Sequence, residues 1–265
     1  MDALIVLLLT LALSSALRGR DGRAGAWIGA AAAIKLSPVL ILGFFAARRR
    51  WAALGGAAVV LVLCFLAEAA IVGLHTLTYF ATQVLPVVSK GSALIENQSL
   101  LGFMYRLVTP RSALLSLDAM PDYPGVRFIW AAASIAVFAI TFYFTSRATL
   151  DRPLVTAIAL GVFIVVAVLV GAISWDHYMI WAQLLVVAMA VDWFETRWMN
   201  RRVFWSLFSV GAFLMMCPVV AQIIGTCGLL FFLALAWIRL RHTRLPGEIE
   251  AAPQPSERQT RSVLA

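Results

Sequence analysis

The sequence predicts an all-α fold: a polytopic membrane helix bundle of about seven spanning helices plus one broken re-entrant segment. Three observations carry this expectation. Of 265 residues, 62% are hydrophobic and only 13% charged, and the mean hydropathy is +0.91; soluble domains are roughly half apolar and a quarter charged. The apolar residues gather into eight runs, most of them near the ~20 residues that cross a hydrocarbon core of about 30 Å. Arginines cluster at the ends of those runs. A soluble enzyme is excluded, and the net charge of +8 lacks the aromatic-interleaved basic surface of a nucleic-acid binder. The charge reads instead as a topology signal.

The first run, 2–17, is marginal in length. The second, 24–47, is interrupted at its middle by Lys35 and the Ser37-Pro38 pair. Proline removes a helical hydrogen bond and disfavours helix in the residue before it, so two halves of about ten residues are expected. At 1.5 Å per residue each reaches about 15 Å, half the hydrocarbon core, and the segment enters and leaves on one face. Runs at 52–74, 126–146, 154–173, 177–194, 203–220 and 221–238 follow, with one long connection at 75–125. Residues 1–238 form the membrane domain. From Arg239 to Ala265 the chain turns polar, contains proline and is poor in aromatics, the composition of a disordered cytoplasmic tail.

Cytoplasmic loops carry an excess of Lys and Arg. With 24–47 re-entrant, sixteen cations lie inside against four outside (Lys90, Arg106, Arg111 and Arg127); a full crossing would move Arg18, Arg20 and Arg23 to the outer side. The re-entrant arrangement is therefore favoured. It places the 75–125 connection and the Ser174–Tyr178 turn outside, so the polar chemistry gathers on the extracytoplasmic side of a multi-pass protein of the plasma (inner) membrane. Met1 also starts outside, before an apolar run with no basic residue in front. A signal peptide would find small residues at Ser14 and Ala16 but no positive n-region, and the expectation is that further membrane segments precede this chain.

Lys35 is expected near the bilayer midplane, as a functional cation or a snorkelling one, with Glu68 as a candidate partner. In the outer connection, Asn97 and Gln98 suit sugar hydroxyls and Arg106 suits phosphate; a solvated loop capping a short helix is the plainer alternative. Asn97-Gln98-Ser99 also matches a glycosylation sequon, a frequent chance match. Trp175, Asp176 and His177 follow an uninterrupted apolar run, where polar groups are costly unless they face a cavity. They form either a saccharide or phosphate site with Trp175 as stacking face, or an interfacial turn with Asp176 as helix cap. Cys64, Cys217 and Cys227 lack metal-ligand spacing and read as packing residues, with a Cys217–Cys227 bridge as the alternative. No metal and no cofactor is implied.

Three stretches, in order, resemble glycosyltransferase family 87, membrane enzymes of the C-type superfamily: GAWIGAAAAIKLSPVLIL followed by Arg48-Arg49-Arg50-Trp51, then Glu96-Asn97-Gln98-Ser99-Leu100-Leu101-Gly102 with Arg106, then Ser174-Trp175-Asp176-His177. The resemblance covers about residues 15–240. It implies a polyprenyl phosphate sugar as donor, mannose or a related hexose as the sugar, a glycan or glycolipid acceptor outside, and inversion at the anomeric carbon. Such a displacement needs a carboxylate base and cations near the departing phosphate. The family's catalytic aspartate belongs to a first outer loop, and no position here matches it; Tyr178 stands where the family commonly has a second histidine. The catalytic residue is thus unassigned, with Asp176 the best of the outer carboxylates Glu96, Asp118, Asp122 and Asp176. The chain is expected to be a fragment or one half of a split enzyme needing an N-terminal companion. A noncatalytic transporter or lipid-linked glycan binding subunit is the alternative.

Overall fold

The computed structural model describes residues 1–110, 123–216 and 224–243; the Asp176 side chain lies outside what is described. Among the described residues all regular structure is helical, apart from one isolated bridge. Helices α1 (Asp2–Leu17) and α2 (Asp21–Ile34) form a hairpin. Its turn places Gly19 at φ +68°, a left-handed conformation that a Cβ would strain. At Lys35 the backbone becomes extended, and Pro38 sits in the first turn of a 3-10 helix, Ser37–Ile41, that leads into α3 (Leu42–Ala47).

Helix α4 (Trp51–Val72) lies against α2 through small residues. Gly25 abuts Ala53, Gly29 abuts Ala57, and Gly56 abuts Gly22. From Asp21–Arg50 through Gly25–Ala53 to Gly29–Ala57 the numbers rise together, so α2 and α4 run parallel. Two consecutive parallel helices starting at one end require the chain between them to go out and come back. Residues 21–50 do this, and the Asp21–Arg50 ion pair (3.3 Å) fastens the two starts. The outward half is longer than expected: α2 has 14 residues and rises about 21 Å. Asp21, Gly22 and Arg23, outside the apolar run, belong to the helix, and Asp21 complements the positive end of its dipole. Lys35 accordingly lies well past the middle of the bundle.

After α4 the chain passes through α5 (Leu74–Tyr79), a π turn at Phe80–Val84 and α6 (Leu85–Val88), all without buried residues. Helix α7 (Leu100–Val108) follows, and then α8 (Pro124–Arg147), α9 (Pro153–Val170), α10 (Met179–Thr196), α11 (Arg201–Met216) and α12 (Ile224–Arg241). Helix α9 is the central post, with 83% of its apolar window buried against 6% for α4. A helix apolar on every side is stable where protein surrounds it; α4 buries only Ala53 and Ala57 of its small-residue stripe and turns most of its surface outward, as a lipid-facing helix does.

The bundle has two chemically distinct ends. Arg48 Nη1 donates to the carbonyls of Thr145, Ser146 and Ala148 at the end of α8, satisfying acceptors that a helix terminus leaves open. At that same end, Arg239 grips Asp192 through two hydrogen bonds, 2.6 and 3.1 Å, and Arg152 bridges Asp192 and Glu195. Arg239 was assigned to the tail by the sequence; α12 runs to Arg241 and carries Arg239 into the interior, because Asp192 compensates its charge. Asp2, Lys35 and the Ser174–Tyr178 turn lie at the opposite end.

Among the described residues four helices, α4, α8, α9 and α10, are long and apolar enough to cross a membrane, fewer than the expected seven; α1 has 16 residues, about 24 Å, and α12 ends on Arg239 and Arg241. Cys64 and Cys227 are free thiols; Cys217 lies outside the described residues.

Candidate functional site

Two polar layers meet at the end opposite the arginines. The inner layer ties the outer connection to the α9–α10 turn. Asn97 is fully buried. Its Nδ2 donates to the carbonyls of Ser92 (2.8 Å) and Ala172 (3.2 Å), and its Oδ1 accepts from the amides of Ser174 (2.8 Å) and Ser99 (3.2 Å). Those four bonds use a carboxamide's whole capacity. The Gln98 amide donates to Ser174 O (2.6 Å), its carbonyl accepts from Thr226 Oγ1, and its side chain turns back to Ile95 O. Ser99 caps α7 by accepting from Gly102 N and donates to Ala172 O.

Arg106 comes off α7 into this layer, where its Nη1 donates to the carbonyls of Leu94 (3.0 Å) and Asn97 (2.6 Å). Burial pushes its guanidinium down to about 10. Asn97 is thus satisfied by backbone groups of the outer connection and of the α9–α10 turn, as a buried loop requires, while Gln98 Oε1 and Arg106 Nε and Nη2 are buried without a hydrogen-bond partner among the described residues. Asn97→Ala should strand two amides and two carbonyls and lower stability by about 2–4 kcal/mol, taking roughly 1–3 kcal/mol per buried group left unsatisfied and partial relaxation. Thermal unfolding in detergent, against an exposed-site control such as Glu96→Gln, measures it.

The outer layer is built on the turn that the inner one holds. A 3-10 turn, Asp176–Tyr178, leads into α10. His177 Nε2 lies 3.4 Å from one carboxylate oxygen of Asp2, and Lys35 Nζ lies 3.4 Å from the other. The Lys35 ammonium also sits 3.1 Å from the centre of the Tyr178 ring and 5.3 Å from that of Trp181. Those two rings stack at 5.1 Å, within 2° of parallel. A cation over a ring face gains from the ring's quadrupole, so Tyr178 and Trp181 hold an ammonium that would otherwise be costly at this depth. His177 is half-exposed. Trp175 bridges to Asn97 by its backbone and packs, partly buried, on the main core.

Of the residues named from sequence, Lys35 and His177 come together, with Asp176 between Trp175 and His177 in the chain. Glu68 is exposed on α4, and the partner of Lys35 is Asp2. Glu96 is exposed; Arg111, Asp118 and Asp122 lie outside the described residues. Asp2 was missed. The available signal is its position: a single carboxylate opening an apolar helix on the side that the sequence assigns to the Ser174–Tyr178 turn.

Lys35 and His177 thus address the two oxygens of one carboxylate in the first turn of the chain's first helix.

The profile described as Glycosyltransferase family 87 matches residues 1–170. The chain is also similar to a polyprenol-phosphate-mannose-dependent alpha-(1-2)-phosphatidylinositol mannoside mannosyltransferase of Mycolicibacterium smegmatis, 26% identical over 196 residues, covering 70% of this chain and 41% of that protein. The chain thus spans about two-fifths of that relative's length. No solved structure matches it significantly.

Proposed function

The chain belongs to glycosyltransferase family 87, and from that premise we propose that it serves the transfer of a hexose, mannose, from a polyprenyl phosphate sugar to a glycan or glycolipid acceptor on the extracytoplasmic side of the plasma membrane. The observation that carries the proposal is the convergence of Lys35 and His177 on the Asp2 carboxylate, at the end of a membrane bundle opposite its arginines. That polarity supports an arginine end in the cytoplasm and a site facing out. It also supports a membrane-re-entrant path for 21–50.

In the transfer, the acceptor oxygen forms a bond to the anomeric carbon as the bond from that carbon to the phosphate oxygen breaks, and the electron pair leaves with the phosphate. A phosphodiester with one negative charge becomes a phosphomonoester that carries more. The Lys35 ammonium and a hydrogen bond from His177 match that change: both gain more from the departing phosphate than from the intact donor, which is the differential that lowers a barrier. Asp2 is a positioning residue, aiming the two side chains until the phosphate takes its place between them. The acceptor proton passes to a carboxylate, for which Asp176, beside His177 in the same turn, is assigned.

The expected outcome for Lys35→Ala is a tenfold to hundredfold loss of affinity for polyprenyl phosphate mannose in lipid nanodiscs, as a charge-assisted hydrogen bond contributes about 1.5–3 kcal/mol. His177→Ala should cost less, because a single imidazole hydrogen bond contributes less than an ammonium held against the phosphate. Unaltered donor affinity in both variants would remove the phosphate from this site. Asp176→Asn should spare donor affinity and slow transfer, measured with the chain supplemented by any companion segment that restores activity.

A further inference from the structure

At the arginine end of the bundle a groove of about 200 Å³ opens beside the α2–α4 seam, lined by Arg23, Ala26, Trp27, Ala30 and Val60. The α2 positions are spaced by three, one and three residues, which sets them on one face of the helix. Arg23 lies in the first turn of α2 and Ala30 about 10 Å further along, so the groove stays within one leaflet of a hydrocarbon core about 30 Å thick. Beyond Arg23 its lining is apolar. A helix of at least 10 Å diameter would need about 800 Å³ over that length, four times what is present. The groove fits a hydrocarbon chain.

The rim above it is strongly positive. From Arg18 to Arg23 and from Arg48 to Arg50, six arginines accompany one carboxylate, Asp21. Arg50 engages Asp21 at 3.3 Å, and Arg48 is turned to three carbonyls at the end of α8. Arg18, Arg20, Arg23 and Arg49 are exposed, and the parallel helices α2 and α4 bring the positive ends of both dipoles to the same rim. Trp51, 63% exposed at the start of α4, is a ring of the kind that settles at headgroup depth.

We infer that this groove seats one acyl chain of an acidic phospholipid, with the lipid phosphate at Arg23 and the exposed arginines of the rim. In a bilayer acyl chains reach any lipid-facing groove, so the headgroup decides which lipid stays; a basic residue near the membrane surface favours an anionic one by roughly fivefold. The seat lies about 18 Å along α2 from Lys35, and the inference does not rest on the function proposed above. A chain lodged between Ala30 and Val60 touches both helices, so the lipid fastens the outgoing half of the 21–50 turn-back to α4, above the Asp21–Arg50 pair.

The test uses the full chain in phosphatidylcholine nanodiscs with a trace of phosphatidylglycerol that carries a diazirine on one acyl chain. After photolysis the labelled residues are mapped by mass spectrometry. Labels between Ala26 and Ala30 and at Val60, competed by unlabelled phosphatidylglycerol, are expected; a phosphatidylcholine probe with the same diazirine should label these positions at least fivefold less. Equal labelling by the two probes, or phosphatidylglycerol labels confined to other helices, would overturn the inference. Arg20 and Arg23 are exposed, so Arg20→Gln with Arg23→Gln leaves the core intact and should reduce phosphatidylglycerol labelling of the groove at least tenfold. Ala30→Phe narrows the groove without changing charge and should drive the label out of it. Undiminished labelling in the arginine variant defeats the headgroup assignment, and undiminished labelling in Ala30→Phe defeats the groove. Native mass spectra showing two copies of the chain and no bound lipid would make this face an interface between chains instead.

Discussion

Gly25→Val is expected to lower the stability of the bundle by more than about 3 kcal/mol, at or beyond the upper end for overpacked interiors. A Cβ at Gly25 would lie 1.7 Å from the Ala53 carbonyl oxygen, with two further backbone atoms of Ala53 within 2.7 Å. No rotamer relieves a clash with main chain, so α2 and α4 must part along the whole stripe that includes Gly22, Gly29, Gly56 and Ala57. In a bilayer helices associate through close approach of small residues rather than through burial of apolar area, and opening this seam removes most of what holds α4. Lys35 ends α2, so donor binding should fall with stability. Gly55 is the matched control on the facing helix: nothing lies within 4 Å of its added Cβ, and Gly55→Ala should be neutral or stabilising by up to about 1 kcal/mol from helix propensity. Paired melting curves in detergent decide it; equal behaviour of the two variants would mean that the seam does not bear on stability.

The second large effect is expected at Asp192. Its carboxylate is fully buried and accepts both bonds of the Arg239 guanidinium, itself only 7% exposed, while Arg152 approaches at 3.6 Å. Asp192→Asn leaves a buried guanidinium without a counter-charge, which costs about 3–5 kcal/mol. Arg152 keeps Glu195, 2.7 Å away, so the loss falls on the contact between α10 and α12. Replacing both partners, Asp192→Leu with Arg239→Met, should recover most of the stability, since an apolar pair of similar volume often matches a buried ion pair. Additive losses in the double variant would show that the two side chains do not act as a pair.

The apolar runs located the helices because a span must be both long and apolar. Their ends were less legible. Polar residues at a helix's first and last turns belong to the helix when the dipole or a partner favours them, as at Asp21 and Arg239, and a hydropathy boundary excludes both. The turn-back of 21–50 was legible because Lys35 and Pro38 break the run and arginines flank it. The parallel contact with α4 left a trace only in the spacing of Gly25 and Gly29. In the site, residue type marks Asn97, Gln98 and Arg106 as unusual at that depth, yet sequence cannot say which of their polar atoms the main chain takes up: Asn97 has all four of its hydrogen-bonding positions filled by backbone, whereas Gln98 Oε1 and Arg106 Nη2 find no partner among the described residues. Asp2 went unseen because a terminal carboxylate on a marginal helix has no periodic signal, and its meaning arises only where α1, α2 and α10 end together.

The Asn97 knot also has a schedule. Asn97 and Ser174 are 77 residues apart, and synthesis at roughly 5–20 residues per second separates their emergence by about 4–15 s. Through that interval the outer connection is already made while its partner turn is not, so Ser92, Asn97 and Ser99 spend it hydrated. The polar layer beneath the site therefore dries only after α9 has been delivered, and the nascent chain gains the surface that carries Lys35 and His177 late, as a product of assembly rather than of insertion.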